Sequence, residues 1–286
     1  MLYEIHMIKN YPPTNLNRDE TGSPKSCYFG GSQRGRISSQ CLKRAWRTSP
    51  LFVDLLGSKG IRTRKLPELV AAELKRRGMD EALIAVAEKK VTGIANKDGK
   101  ENNDSITSQI IFYSDADISA VADIMEKSAA EAGDLKSFEK MKASDIVKQM
   151  KNVEIRPITM DIALFGRMVT SDAFADVEAA VQAAHAISTH AVNQESDYFT
   201  AVDDMISSAE SDDAGAGMIG DTDFNSCCYY HYMAIDTDIL EKNLRYSPDA
   251  EVLIREVLPA MIQVMAYSDP SGKQNSFAGH VLPDML

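Results

Sequence analysis

Residues 29–47 of this 286-residue chain read FGGSQRGRISSQCLKRAWR, and residues 15–19 just before them read NLNRD. From Thr21 to Val53 the sequence has six basic residues and no acidic one, although the formal net charge of the chain is −11. The glycines predict a turn with exposed backbone N–H groups, and Ser38 or Ser39 can cap the helix that follows. A helix that starts between glycines and arginines favours anions, and nucleic-acid phosphates are the anions that need so many cations.

The basic residues are concentrated in one part of the chain. Residues 21–77 hold 13 Lys and Arg residues against three acids, a net charge of +10. The alternative to a binding site is a solvated charged surface, which is the usual role of a run of charges. The Gly-Gly turn, the capping serines and the lack of acids favour phosphate binding.

Several other classes of protein are not supported by the sequence. No apolar run is long enough to cross a bilayer, and residues 1–8 contain Glu4 and no basic residue, so they do not predict a signal peptide. The four cysteines lack CxxC spacing, which is typical of free thiols in a reducing cytoplasm. The glycines at 30 and 31 lack the GxGxxG or Walker pattern, and His185 and His190 are five residues apart. We therefore expect a cytoplasmic protein without a nucleotide cofactor, a metal or a catalytic set.

Periodicity predicts an α+β fold. Strands are predicted at 2–8, 158–170 and 224–235, and helices at 38–48, 172–190 and 249–267. Residues 10–37 have loop chemistry, and four further helices are predicted between 66 and 151, at 66–77, 80–91, 117–132 and 136–151. Without the insertions, a β-α-β-β-α-β order remains, which is the ferredoxin-like sheet of an RNA-recognition domain. Its fourth strand would have to come from residues 274–286.

An ordered set of short motifs from residue 2 to about residue 280 resembles one known family. The motifs are Asn17-Arg18-Asp19, Lys25, Phe29-Gly30-Gly31, Arg36-Ile37-Ser38-Ser39-Gln40, Leu42-Lys43-Arg44-Ala45, Gly166-Arg167-Met168, His185-Ala186-Ile187, Thr189-His190 and Phe199-Thr200-Ala201-Val202-Asp203-Asp204. Together they resemble the backbone subunit of the type I-E CRISPR Cascade complex, the CasC family. Members typically continue beyond the position of Pro283 with another strand and helical segment.

The resemblance implies a protein shaped like a right hand, with an RNA-recognition-type palm, helical fingers and a long thumb. The implied segments are palm at 1–49, 156–192 and 224–286, fingers at 50–155, and thumb at 193–223. It also implies a non-catalytic, antiviral role, in which copies polymerise along one guide RNA (crRNA) and present it to invading DNA. The implied partners are crRNA, target DNA in an R-loop, further copies of the chain, other Cascade subunits and a recruited helicase-nuclease, with no membrane.

The charge pattern and the resemblance together give a set of candidate RNA-binding residues. They are Arg18, Lys25, Arg34, Arg36, Ser38, Gln40, Lys43, Arg44, Arg47, Met168, Tyr198, Phe199, Thr200 and Val202. The basic residues would neutralise phosphates, and Ser38 and Gln40 would hydrogen-bond phosphate or ribose. Met168 is either a core residue or, as the resemblance implies, a residue that separates stacked bases. The thumb aromatics either wedge between bases or form a local hydrophobic cluster.

Two other functions are compatible with these residues. Related backbone subunits cut RNA with a thumb aspartate, and Asp197, Asp203, Asp204, Asp212 or Asp213 could play that part with a divalent metal. A generic RNA-recognition protein that acts as a monomer is the second alternative.

Overall fold

The computed structural model describes residues 1–57, 59–96, 99–102, 104–150, 156–201 and 218–286. Its strands are β1 (Leu2–Asn10), β2 (Ser26–Phe29), β3 (Ser32–Ile37), β4 (Ile61–Thr63), β5 (Ile111–Tyr113), β6 (Val181–Ala183), β7 (Ala186–Ser188), β8 (Glu195–Ala201), β9 (Met218–Phe224) and β10 (Cys228–Asp236). Its helices are α1 (Ser39–Thr48), α2 (Pro50–Leu56), α3 (Leu66–Arg76), α4 (Glu81–Ala95), α5 (Asp115–Ala132), α6 (Leu135–Lys140), α7 (Ala143–Met150), α8 (Met160–Phe165), α9 (Thr237–Leu244), α10 (Ala250–Tyr267) and α11 (Gln274–Phe277).

The chain divides into two compact units. The helical unit contains residues 1–2, 53–182 and 235–258, and the sheet unit contains residues 3–52, 183–234 and 259–286. Helices and antiparallel strands occur together, which confirms the predicted α+β class. Within the described ranges, no helix has the length and apolar character needed to span a membrane.

The main sheet has the strand order β1-β10-β7-β3-β2, and β6 also pairs with β10. Side chains alternate along its strands, so Ile5 and Met7 of β1 and Tyr229 and Met233 of β10 are buried on one side. Leu42 and Trp46 of α1 and Met261 and Val264 of α10 are also buried and complete the core of the sheet unit. The other side carries Glu4, His6, Tyr230, Tyr232, Ile187, Arg34 and Arg36, and we call these residues the open face.

A buried ion pair joins β1 to the end of α10. The Lys9 ammonium donates to Asp269 over 2.5 Å and to the carbonyl of Ala266 over 3.0 Å, and Tyr11 donates its hydroxyl to Asp269 over 2.6 Å. Burial lowers the pKa of Lys9, and the Asp269 carboxylate opposes that shift. Lys9 can stay charged in the core because the Asp269 carboxylate and the Ala266 carbonyl accept its hydrogen bonds. The Tyr11 hydroxyl in turn bonds the carboxylate.

The helical unit is built around α3, α4, α5 and α7. Leu66 and Leu74 of α3, Ile94 of α4, Met125 of α5 and Ile146 of α7 belong to one buried cluster. Several of its helices start with a side-chain cap, which Asp80 provides for α4 and Asp134 for α6. Ser114 and Asp117, for example, form a capping box at the start of α5.

Two predicted elements of the chain have a different structure. Residues 158–170 were expected to be a strand, but Met160–Phe165 is helix α8, whose residues 160–164 are buried. A short apolar run that is buried on all sides has no periodicity to separate helix from strand, and Gly166, with φ 79°, ends this helix. Residues 172–190 were expected to be an Ala-rich helix, but β6 and β7 lie there. Pairing of Ile187 with Arg36 and Tyr230 overrides the helix propensity of alanine.

Three smaller differences also separate the predicted elements from the structure. Residues 10–37 were expected to be loop, but β2 and β3 form a hairpin within them. The segment 136–151 contains two helices, α6 and α7, since α6 ends at Lys140 and Met141 leaves the helical conformation. Residues 274–286 form α11 and one antiparallel bridge between Met285 and Ile8 of β1, rather than a full strand.

Candidate nucleic-acid interface

The turn between β2 and β3 depends on its two glycines. Gly30 and Gly31 have φ angles of 60° and 80°, the left-handed conformation that a two-residue hairpin turn requires. Phe29 and Ser32 are directly opposite each other at its end. Tyr28 and Phe29 are 78% and 59% exposed, so the basic segment presents two aromatic rings to solvent.

Helix α1 begins where the sequence predicted. The Ser38 hydroxyl caps it by accepting the N–H of Cys41 over 3.3 Å, and its first turn has no acidic residue. Asn17 fixes the cap residue, because its side-chain oxygen accepts the backbone N–H of Ser38 over 2.9 Å. The positive end of the helix dipole is therefore left without a neutralising carboxylate from its own first turn.

Cations surround this helix start. Burial raises the pKa of the Cys41 thiol, while the charges of Lys25 and Arg44 act in the opposite direction. Lys25 is held near the helix start through Asn17, whose carbonyl accepts the N–H of Lys25 and whose side chain accepts the N–H of Ser38. Arg44 and Gln40 are exposed, and Lys43 is partly buried, with its pKa lowered by that burial. Arg47 is only 8% exposed, so its guanidinium is a poorer candidate for direct contact with a phosphate than that of Arg44.

The loop that carries Arg18 lies beside α1. Arg18 is exposed and forms a backbone bridge with Pro24, and the Asp19 carboxylate accepts the N–H groups of Thr21 and Ser23. Lys25 donates its N–H to the carbonyl of Asn17 over 2.8 Å. A cavity of about 570 Å³ is lined by residues 16–22 together with Gly272. The candidate residues Arg18 and Lys25 are thus held on one compact turn.

The same loop is hydrogen-bonded to Asp223 in the segment predicted to be the thumb. We call Asp223, with Gln194 and Ser196 that bond to it, the thumb base. The Ser23 hydroxyl donates to the Asp223 carboxylate over 2.5 Å, and the Asn15 amide donates to the Asp223 carbonyl over 2.8 Å. The hydrogen bonds from Ser23, Gln194 and Ser196 hold the pKa of Asp223 below its ordinary range. The helix start, the Arg18 loop and the thumb base therefore form one connected assembly within the sheet unit.

The thumb itself begins as a two-stranded ribbon of β8 and β9, which we call the thumb ribbon. All seven residues of β8 are exposed, with Tyr198 at 65% and Phe199 at 40%. Phe199 is opposite Gly220, where a Cβ atom would lie 2.6 Å from the ring, so the end of the ring reaches over the neighbouring strand. Thr200 is exposed on the same strand, and Val202 lies outside the described residues, as do Asp203, Asp204, Asp212 and Asp213.

Met168 belongs to the helical unit and is 87% exposed, which excludes the core-packing alternative. The preceding residue is fixed. The Arg167 guanidinium donates to the Asp117 carboxylate over 2.6 Å and to the carbonyls of Phe112 and Ala175. A rigid backbone thus presents a flexible apolar side chain to solvent.

Arg34 and Arg36 lie on the open face rather than at the helix start. Arg34 donates to the carbonyls of Phe29 and Ser188, and Arg36 donates to the carbonyl of Ser26. An Arg36 guanidinium nitrogen is 3.3 Å from Nδ1 of His185, whose pKa is lowered by burial and by Arg36 and Lys25. These two arginines therefore belong to a second surface.

Sequence reasoning missed the residues that connect the site. Asn15 and Ser23 each donate a hydrogen bond to Asp223, about 200 positions away, which local spacing does not reveal. His185 and His190 lie at the two ends of β7 and not on a helix. Among the residues that the structure describes, no group of three His, Cys, Asp or Glu side chains is arranged to hold a metal ion.

Comparisons with known proteins agree with this architecture. One solved chain, from a CRISPR RNA-guided surveillance complex described as pre-nicking, is 31% identical and has a TM-score of 0.79, covering 99% of this chain and 77% of its own. Another, from a CRISPR RNA-guided surveillance complex, is 26% identical with a TM-score of 0.67, covering 99% and 74%. No curated protein matches the chain.

The match extends to a family model. The model of CT1975-like proteins matches residues 3–286, which is almost the whole chain. The resemblance to the Cascade backbone subunit is thereby confirmed, and the chain belongs to the family of CT1975-like proteins.

Proposed function

We propose that the chain is a guide-RNA-binding backbone subunit of a CRISPR surveillance complex. The observation that carries the proposal is the start of α1, whose first turn has no acid and whose Ser38 cap is bonded through Asn17 to the loop of Arg18 and Lys25. Two solved relatives are chains of CRISPR RNA-guided surveillance complexes, which supports crRNA as the nucleic acid. A guide RNA passes along the surface formed by α1, the Arg18 loop and the thumb base.

The chemistry of this surface suits a guide of any sequence. Arg18, Lys25, Lys43 and Arg44 attract phosphates, and Gln40 is exposed to hydrogen-bond phosphate or ribose. None of these contacts depends on the identity of a base. Base pairing between guide and target DNA then supplies the sequence specificity, and the protein supplies charge and shape.

The thumb ribbon gives the second part of the function. A two-stranded ribbon is only marginally stable alone, and the apolar residues Tyr198, Phe199, Met218 and Ile219 are all exposed on it. In the proposed assembly, these residues pack on the guide and on the next copy of the chain. Tyr198 and Phe199 wedge between bases, and Met168 of the helical unit also separates stacked bases.

Copies of the chain polymerise along one guide through head-to-tail contacts, and the RNA sets the number of copies. We further propose a ferredoxin-like palm, in which the bridge of Met285 with β1 stands at the place of the fourth strand, followed by β1, β10 and β7. The other proposed partners are target DNA, further Cascade subunits and a recruited helicase-nuclease, in antiviral defence.

A second candidate function is metal-dependent cleavage of RNA by thumb aspartates. Asp197, the described member of that set, is exposed on β8 opposite Thr222. We favour a non-catalytic role. Incubation of the assembled complex with complementary RNA and magnesium tests the alternative, because evenly spaced cuts would establish it.

The test of the proposed function is co-purification with RNA. The wild-type chain should purify with short RNA of uniform length, and the charge reversal K43E/R44E should remove that RNA without unfolding the chain. The matched control is K75E/K127E, which makes the same charge change at two exposed helical lysines of the helical unit. Full-length RNA on K43E/R44E at moderate salt would contradict the proposal. Size exclusion with and without guide separates a polymer from a monomeric RNA-binding protein.

A further inference from the structure

The open face of the main sheet has a continuous row of side chains that the proposed function does not use. Arg36 of β3 pairs with Ile187 of β7, and Ile187 pairs with Tyr230 of β10. Directly opposed residues point to the same side of a sheet, so these three side chains lie in line. His6 of β1 extends the row, since its Nδ1 is 2.7 Å from the Tyr230 hydroxyl.

The aromatic end of this row is preorganised. The His6 ring centroid is 5.2 Å from that of Tyr232 and 6.0 Å from that of Tyr230. The Tyr232 hydroxyl donates to the Glu4 carboxylate over 2.5 Å, and this bond raises the pKa of Tyr232. Because both hydroxyls are bonded, the rings hold fixed positions, yet Tyr230 is 39% exposed and His6 is exposed. Exposed, fixed rings on adjacent strands form the kind of platform on which RNA-recognition sheets stack bases.

The other end of the row is basic. Arg34 and Arg36 lie on β3, and Lys25 acts with Arg36 to lower the pKa of His185. In the part of the chain that the structure describes, no carboxylate forms an ion pair with Arg34 or Arg36. Glu4 is the acid of the open face, at the opposite edge and bonded to Tyr232. The face therefore offers rings for bases beside cations for phosphates.

The occupant of this face is not the guide at α1. Helix α1 directly follows β3, whereas Tyr230 and His6 lie on β10 and β1, which are two and three strands away from β3 in the sheet order. A guide RNA that runs along α1 therefore does not cover Tyr230.

We propose that the open face binds a second single-stranded nucleic acid, with bases stacked on Tyr230 and His6 and phosphates on Arg34 and Arg36. This site goes beyond the proposed function, because it concerns a different face and a different strand.

A binding assay on the guide-loaded chain tests the proposal. The probe is fluorescent oligo-dT of about 15 nucleotides, within the site sizes of single-strand binding folds and not complementary to the guide. Y230L keeps an apolar side chain but removes the ring, and should weaken probe binding about 5- to 100-fold. Y230F keeps the ring and loses the hydroxyl, and should bind nearly as the wild type. Wild-type affinity in Y230L, or an equal loss in Y230F, would overturn the stacking site.

Cross-linking locates the probe independently of affinity. Oligonucleotides with 5-iodouracil should cross-link to Tyr230, Tyr232 or His6 when the products are mapped by mass spectrometry. Cross-links confined to α1 or the thumb ribbon, or no binding of the probe at all, would overturn the proposal and leave the face to a protein partner. Guide content is measured in every sample. A chain that binds the probe but retains no guide would contradict the proposed function alone.

Discussion

The side-chain oxygen of Asn17 accepts the backbone N–H of Ser38 over 2.9 Å, and this bond ties the Arg18 loop to the start of α1. We predict that N17A destabilises the chain by about 1–3 kcal/mol, because the N–H of the buried Ser38 loses its acceptor. Urea unfolding measures this change. N17D keeps an acceptor but adds a negative charge, so it should be more stable than N17A and retain less RNA. Equal RNA content in N17D and the wild type would show that this position is not close to phosphate.

The thumb aromatics should affect the form of the bound guide more than its retention. In Y198A/F199A the phosphate contacts remain, while each lost stacking contact costs about 1–3 kcal/mol. Chemical probing of the bound RNA should change from a periodic pattern of reactive bases to a smooth one. Y246A, at a residue of the helical unit that is 46% exposed, serves as the control. An unchanged periodic pattern would indicate that Met168, and not the thumb aromatics, separates the bases.

RNA affinity should fall steeply with salt. A surface that neutralises phosphates loses affinity according to the number of counterions released, so four cations on a single strand predict a loss of about 50-fold between about 50 and 200 mM salt. Filter binding with several RNAs of equal length measures both salt and sequence dependence. A flat salt curve, or a strong preference for one sequence, would indicate a base-reading protein instead.

The buried pair of Lys9 and Asp269 should be strongly coupled. K9M leaves the Asp269 carboxylate, which is 3% exposed, without its cation, and we expect a loss of about 3–5 kcal/mol. The double variant K9M/D269N should recover much of that loss, since no unpaired charge remains. A double-mutant cycle by urea unfolding measures the coupling, and additive effects of the two substitutions would contradict it.

Stability should fall with acid because of His231. Burial, together with the nearby Lys9, lowers the pKa of this imidazole to about 4 from its ordinary 6.5. The unfolded chain therefore binds more protons between these values, and stability present above pH 6.5 is lost as the pH falls toward about 4. The shift corresponds to about 3 kcal/mol. Urea unfolding as a function of pH should show a flatter profile in H231N than in the wild type.

Local chemistry made part of this structure predictable. The Ser38 cap, the glycines at 30 and 31 and the lack of acids lie within one short segment, so α1 and its charge followed from the sequence. The alternation of β1 and β10 and the apolar pattern of α10 were also predictable, because one side of each is buried.

Long-range pairing was not predictable. Strand β7 lies in an Ala-rich segment, and only its position between β3 and β10 makes it a strand. The candidate site was not predictable for the same reason, because Asp223 bonds to Ser23 in the Arg18 loop from about 200 residues away. The cluster of His6 with Tyr230 and Tyr232 likewise exists only after β1 and β10 become neighbours. Such contacts depend on topology and leave no spacing signal in the sequence.

The thumb ribbon also has a consequence for the life of the free chain. Among the described residues, β8 and β9 pair only with each other, so each strand has one edge without a sheet partner, and the apolar side chains of the ribbon face solvent. Edges of this kind recruit other strands and promote aggregation. In the proposed assembly the ribbon of each copy is covered, so we expect a copy without guide to aggregate or be proteolysed more readily. Supply of guide RNA would then limit how much of the protein accumulates, without a separate regulator.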